Sequence, residues 1–215
     1  MIKVGLLVPS TNLTVEYELE YLYYKNILKH DKINCYVAKL DYSTSYKQNK
    51  IEFLKEISLD STKKVKQLEY LGVNYIASFC TSASVVSDVK MINNPMDAIL
   101  EEAKKKNIKK CMLVTPYDAI LGRKIKEALE ENNIMVSKAI NFNLLDTKEY
   151  FEFGRYKLEN HITDNYKKEY EDIIISCTNL PTLHIIENIE NAFGTNVLSS
   201  NYCVFNKIIS LNNKE

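Results

Sequence analysis

Two cysteines stand in matching contexts within a chain of 215 residues. Ile76-Ala77-Ser78-Phe79-Cys80-Thr81-Ser82 and Ile174-Ile175-Ser176-Cys177-Thr178-Asn179 each run from apolar residues into Cys-Thr and a further small polar residue. A short apolar run of this kind reads as a buried strand, so Cys80 and Cys177 each fall at a strand's carboxyl end, where the chain turns toward a helix. Backbone N–H groups at such a turn, with a positive helix end behind them, favour thiolate over thiol and would lower a thiol pKa from about 8.5 toward neutrality. The same groups can hold a carboxylate. Two thiols facing one small-anion site form a two-base pair, or a nucleophile with an acid, and their titrations would be coupled. The competing reading is structural, since free cysteine is among the most buried residue types. The repeated Cys-Thr context favours chemistry for these two. Cys35, inside one apolar run, Cys111, opening another, and Cys203, near the start of the last helix, read as packing.

The elements that must position the pair alternate in type. Apolar runs at 4–8, 35–40, 75–79, 111–114, 135–140, 173–176 and 197–198 read as strands. Between them, Val15, Leu19, Leu22, Tyr23 and Ile27 recur at helical spacing, and 51–71 is a long amphipathic helix closed by Gly72. Further helices are expected at 95–106, with Pro95 in the first turn, and at 121–131, 183–193 and 202–211. The stretch 143–165 reads as a loop with helical turns. This rhythm predicts an α/β fold with largely parallel, buried strands.

The pattern also restarts. Val4-Gly5-Leu6-Leu7-Val8-Pro9-Ser10 parallels Met112-Leu113-Val114-Thr115-Pro116-Tyr117, at an offset close to that of the two cysteine motifs. The expectation is one domain over 1–215 with two similar lobes, related by a pseudo-two-fold axis. One lobe comprises about 1–108 plus the C-terminal helix, the other about 109–200. Each is a mostly parallel sheet flanked by helices, and the site lies in the cleft between them, beyond the carboxyl ends of the strands.

Composition narrows the class of partner. Lys+Arg and Asp+Glu each number 28, for a formal charge of +0. Nucleic-acid binding needs a basic patch, so no nucleic-acid partner is expected. Lys104-Lys105-Lys106 and Lys109-Lys110 read as a solvated edge. There is no run of about 18 apolar residues, so no membrane partner is expected. The apolar part of the N-terminus is too short for a secretory signal, and five cysteines is an odd number, which together predict a cytoplasmic protein with reduced thiols. His30, His161 and His184 have no ligand spacing, so no metal is expected.

Several motifs, in register, resemble a known family. Pro9-Ser10-Thr11-Asn12-Leu13-Thr14-Val15-Glu16-Tyr17-Glu18 resembles the N-terminal signature of the maleate cis-trans isomerases, whose usual form is Pro-Ser-Ser-Asn-Thr-Thr-Met-Glu-Pro-Glu. That family belongs to the aspartate/glutamate racemase superfamily, beside arylmalonate decarboxylase. Cys80-Thr81-Ser82, Thr115-Pro116-Tyr117, Ser176-Cys177-Thr178-Asn179-Leu180 and Ser199-Ser200-Asn201 are similar to its later motifs. The resemblance runs from residue 4 to about residue 209.

The resemblance implies a cofactor-independent isomerase of a small dicarboxylate. Cys80 would add to an alkene carbon of maleate, and Cys177 would give and take a proton or hold the other face. Asn12 would bind a carboxylate, Tyr117 would hydrogen-bond at the site, and the backbone around Thr81, Ser82, Thr178 and Asn179 would cradle the carboxylates. Ser10 is a further candidate contact, with a helix cap as its competing role; Ser199 divides the same way. The family's asparagine in an Asp-Asn context is replaced here, where Leu145-Asp146-Thr147 is the nearest string. Glu16 and Glu18 read as first-turn carboxylates that suit the helix dipole. Two alternatives stay open: a racemase of an amino acid or hydantoin using both thiols, and a non-catalytic carboxylate-binding protein. A homodimer or homotetramer is expected, as is usual for symmetric soluble enzymes.

Overall fold

The computed structural model describes residues 1–211. Its first lobe is a three-stranded parallel sheet of β1 (Ile2–Pro9), β2 (Ile33–Leu40) and β3 (Tyr75–Ser78), in the order β2-β1-β3. The second is a four-stranded parallel sheet of β4 (Lys110–Thr115), β5 (Met135–Asn141), β6 (Asp172–Ile175) and β7 (Val197–Ser199), in the order β5-β4-β6-β7. The first three strands of each sheet therefore repeat one arrangement, with the earliest strand in the middle. This is the two-lobed α/β architecture that the restarting sequence pattern predicts.

The strand sequences explain the layering. Val4, Leu6, Leu7 and Val8 of β1, and Met112, Leu113 and Val114 of β4, are fully buried because helices cover both faces of each sheet. The edge strands β2 and β5 are partly exposed and carry Lys39 and Lys138.

Nine helices lie among the described residues: α1 (Val15–Tyr24), α2 (Lys50–Tyr70), α3 (Thr81–Val86), α4 (Pro95–Lys105), α5 (Ala119–Glu130), α6 (Thr147–Tyr156), α7 (Leu158–Asn165), α8 (Leu183–Phe193) and α9 (Ser200–Ser210). Asn49, Asn94, Asp118, Asp146 and Ser199 each accept a backbone N–H from three residues on, capping α2, α4, α5, α6 and α9. Gly72, at φ +66, follows the end of α2 in the left-handed conformation that closes helices. Helix α9 packs on α4 of the first lobe, with Lys207 paired to Glu101. No helix among the described residues is long and apolar enough to cross a membrane.

The segment after Cys80 is a helix of only six residues, α3. One local expectation is corrected: 143–165 holds two helices, α6 and α7, rather than a loop with helical turns. Buried Tyr150, Phe153 and Gly154 form one inward face of α6, and Leu158 and Ile162 one of α7. Charged and amide residues interleaved with these apolar positions hide the period. Helix α6 approaches the second cysteine loop closely at Gly154. A Cβ there would sit 2.6 Å from Pro181 Cδ and 2.9 Å from Pro181 N.

Candidate active site

Strands β3 and β6 occupy equivalent places in the two sheets, and each carries a cysteine two residues past its end. The ladders extend to these points: Phe79 N–H donates to Leu7 O, and Ser176 N–H to Val114 O. Cys80 and Cys177 consequently line one partly open cavity between the lobes. Asn12, Thr81, Ser82, Tyr117, Thr178 and Asn179 line it too. All eight of these sequence-predicted residues are brought together.

Ser10 is not. It is exposed where β1 ends, with its N–H spent on Leu40 O at 3.1 Å. The chain turns immediately after Pro9, so Thr11, not Ser10, faces the cavity. Ser199 caps α9 through Tyr202 N–H and also meets Thr182 Oγ1 at 2.7 Å. Cys35, Cys111 and Cys203 sit in β2, β4 and α9, outside the cavity lining. His184 is partly buried and does not line the cavity. Among the described residues no group of three or more His, Cys, Asp or Glu side chains is placed to hold a metal.

The predicted polar residues tie the lobes together as well as facing the cavity. Asn12 Oδ1 accepts the N–H groups of Thr14 and Val15, at 2.9 and 3.0 Å, while its Nδ2 donates to Thr178 O at 3.1 Å. Asn179 Oδ1 accepts Leu13 N–H at 2.8 Å, and its Nδ2 donates to Thr147 O at 2.8 Å. Thr178 Oγ1 donates to Phe79 O, beside Cys80, at 2.8 Å. Thr81 Oγ1 donates to Ser200 Oγ at 2.8 Å. Each cysteine loop is thereby braced by the opposite lobe or by α9.

The thiols depart from expectation in their acidity. Burial pushes Cys80 up and pushes Cys177 to about 12, despite hydrogen bonds to Cys177 from Tyr117 and from the Asn179 N–H at 3.3 Å. The expected helix ends do not compensate. Helix α3 has only six residues, and α8 begins at Leu183, well past Cys177. No Lys or Arg lines the cavity. Since burial disfavours the charged form, the thiolate fraction should be small at neutral pH and rise about tenfold per pH unit above it. Alkylation of Cys80 by a small haloacetamide, followed by peptide mass spectrometry, should therefore accelerate steeply between about pH 7 and pH 9. A rate already level at about pH 7 would contradict this.

The positive end of α8 is used by Glu18 instead. This fully buried carboxylate accepts Thr182 N–H at 2.5 Å and Leu183 N–H at 2.8 Å through Oε1, and Asn201 Nδ2 at 2.5 Å through Oε2. Asn201 Nδ2 also donates to Thr178 O at 3.1 Å. Burial outweighs these bonds and lifts the Glu18 pKa to about 7. Its position in the first turn of α1 suggests the dipole of its own helix, whereas its side chain serves a different one.

Sequence reasoning also misses Tyr46, Phe53 and Leu54, from the segment after β2 and from α2, and Thr147 and Tyr150 of α6, all in the cavity wall. The apolar face of α6 could have flagged Tyr150. Tyr46 lies in a polar stretch, Tyr42-Ser43-Thr44-Ser45-Tyr46, that carries no period.

No family model matches the sequence, and no curated protein matches it. The fold, by contrast, matches solved structures along almost the whole chain. One is a maleate isomerase variant from Pseudomonas putida S16 with maleate, at TM-score 0.82 and 16% identity, covering 99% of this chain and 92% of that one. Another is the Nocardia farcinica maleate cis-trans isomerase, a cysteine-to-serine mutant with a covalently bound succinylcysteine intermediate. It matches at TM-score 0.81 and 20% identity, over 98% and 93% of the two chains. A mutant of arylmalonate decarboxylase in the liganded form matches at TM-score 0.77 and 14% identity, over 99% and 93%. At these identities the likeness establishes the fold: two lobes of the kind shared by maleate isomerases and arylmalonate decarboxylase.

Proposed function

We propose that this chain is a cofactor-independent cis-trans isomerase of a small dicarboxylate, converting maleate to fumarate. The observation that carries the reading is the meeting of Cys80 and Cys177, from equivalent strand ends of two lobes, in one cavity. The similar Nocardia farcinica structure holds succinylcysteine, the adduct that thiol addition to maleate forms.

The chemistry follows from the double bond. Maleate cannot rotate about its alkene. The Cys80 thiolate adds to one alkene carbon, forming a C–S bond, and the π pair moves onto the neighbouring carboxylate as an enediolate. Cys177 delivers a proton to the carbanionic carbon and later removes it. The central bond is single in the adduct, so the molecule rotates about it. Return of the electron pair expels the Cys80 thiolate and leaves the trans alkene.

No electrons are gained or lost overall. The N–H groups of Thr81 and Ser82 open α3 and have no partner within the helix, so they are free to meet the developing carboxylate charge. With no cation in the wall, they share a dianion's charge with Tyr117 and the hydroxyls.

The pseudo-symmetric placement of the two thiols favours one second reading, a racemase that works on opposite faces of an α-carbon. A single experiment separates the two. Purified protein is mixed with maleate, and separately with amino acids and hydantoins, in heavy water and followed by proton NMR. Fumarate appearing from maleate supports the isomerase. Exchange of an α-proton with no alkene product supports the racemase. A wild type inert toward a panel of cis-dicarboxylates overturns the leading reading.

A further inference from the structure

The cavity contains a donor that neither the fold nor the proposed chemistry uses. Tyr46 Oη and Tyr150 Oη lie 2.9 Å apart, one from each lobe. Both side chains are more than nine-tenths buried and both line the cavity that holds Cys80 and Cys177. Two phenols carry two hydroxyl hydrogens, and their mutual bond consumes one. Among the described residues neither hydroxyl has another partner, so one buried hydrogen is left to be satisfied from the cavity side.

The surroundings hold this pair in place. The Glu56 carboxylate accepts the N–H and hydroxyl of both Ser43 and Thr44, and those bonds, led by Thr44 N–H, pull its pKa down to about 2. That anchors the segment carrying Tyr46. Lys47 and Lys50 then cross to Asp146 and Asp118 of the second lobe. On the other side, the Tyr150 ring meets the Tyr117 ring edge-on at 6.2 Å. Lys50 Nζ lies 5.5 Å from the Tyr46 ring centroid, but no Lys or Arg lines the cavity itself, so a ligand anion reaching the phenols from the cavity meets their hydroxyls.

We propose that the Tyr46–Tyr150 pair is the receptor for the substrate's second carboxylate and so selects dicarboxylates over monocarboxylates. This rests on the cavity being the substrate site, as proposed above. On binding, the mutual hydrogen bond opens. Each phenol then donates to one carboxylate oxygen, and the hydrogen that lacked an acceptor gains one. A phenol bonded to a carboxylate makes a charge-assisted bond, stronger than the phenol–phenol bond it replaces. A monocarboxylate offers nothing here and leaves the pair closed. Because the two phenols belong to different lobes, a bound dicarboxylate also holds the lobes together.

The test uses succinate, which has no alkene and cannot react, against butyrate, which lacks its second carboxylate. Calorimetric binding is measured on the wild type, Tyr46→Phe and Tyr150→Phe, with thermal unfolding as the check on folding. Each substitution should weaken succinate binding by about tenfold or more and leave butyrate binding unchanged. Turnover of maleate is measured in parallel, where KM should rise more than kcat falls.

If the wild type isomerises maleate and both variants bind succinate normally, the inference is wrong while the isomerase reading stands. If the wild type turns over nothing but succinate binding is lost in both variants, the inference stands and the isomerase reading fails. Equal losses for succinate and butyrate, or no binding of succinate by the wild type, also overturn the inference.

Discussion

Cys80→Ala is expected to leave the protein folded and to abolish turnover, by about 10³-fold or more. The change removes one sulfur from a buried position in the cavity wall, so its cost to stability should be about 1 kcal/mol. The proposed addition would then have no thiol at that strand end to carry it out. Cys80→Ser should be almost as inactive, since a serine hydroxyl has no nearby histidine or carboxylate in the cavity wall to ionise it. The pair of assays is maleate-to-fumarate conversion and thermal unfolding. Full activity in a folded Cys80→Ala protein would remove Cys80 from the mechanism, and loss of folding would mean that the cysteine is there for packing.

Glu18→Ala is expected to cost about 3–5 kcal/mol of stability, the largest of any single substitution considered. It strands the Thr182 and Leu183 N–H groups and one hydrogen of the Asn201 amide in a fully buried place. It also frees Asn201, which holds Thr178 O beside Cys177, so activity should fall further than stability alone explains.

Glu18→Gln gives a sharper reading. Burial pushes the Glu18 carboxyl up to about 7 in the folded protein, from its ordinary value of about 4.5. Protonation therefore favours the folded state: the stability linked to this group is fully present below about 4.5 and is lost as pH rises through about 7. The span corresponds to about 3 kcal/mol. Glutamine cannot titrate. The difference in unfolding free energy between wild type and Glu18→Gln should thus slope with pH between those limits and be flat on either side. A difference independent of pH would show that Glu18 titrates alike in the folded and unfolded protein, contradicting the raised pKa.

The pattern of what could be read from sequence follows from how far each signal travels along the chain. Cys80 and Cys177 were legible because a buried parallel strand makes a continuous apolar run, and the residue after it is marked by that run's end. The two-lobed arrangement was legible for the same reason, twice over. The helices α6 and α7 were hidden because Tyr150, Phe153, Gly154, Leu158 and Ile162 face inward among many charged residues. Ser10 falls outside the cavity because a motif fixes which residues are near a turn, not which of them the turn aims outward.

The thiol acidity was misjudged for a related reason. The sequence places a helix after each cysteine, but not that α3 has six residues or that Glu18, far away in the chain, occupies the start of α8. Tyr46 and Tyr150 are 104 positions apart, and nothing local in either segment points to the other.

The central claim is that Cys80 bonds to an alkene carbon during turnover. The direct measurement is peptide mass spectrometry of the Cys177→Ser protein after brief incubation with maleate and acid quenching, with Cys80→Ala as control. In this variant a proton from water completes the adduct, and with no thiol at position 177 to take a proton back the adduct should persist. The expected result is a mass increase of one maleic acid, confined to the peptide that contains Cys80 and absent from the control. Unmodified Cys80 in a protein that still forms fumarate, or an adduct that appears equally in Cys80→Ala, would contradict it.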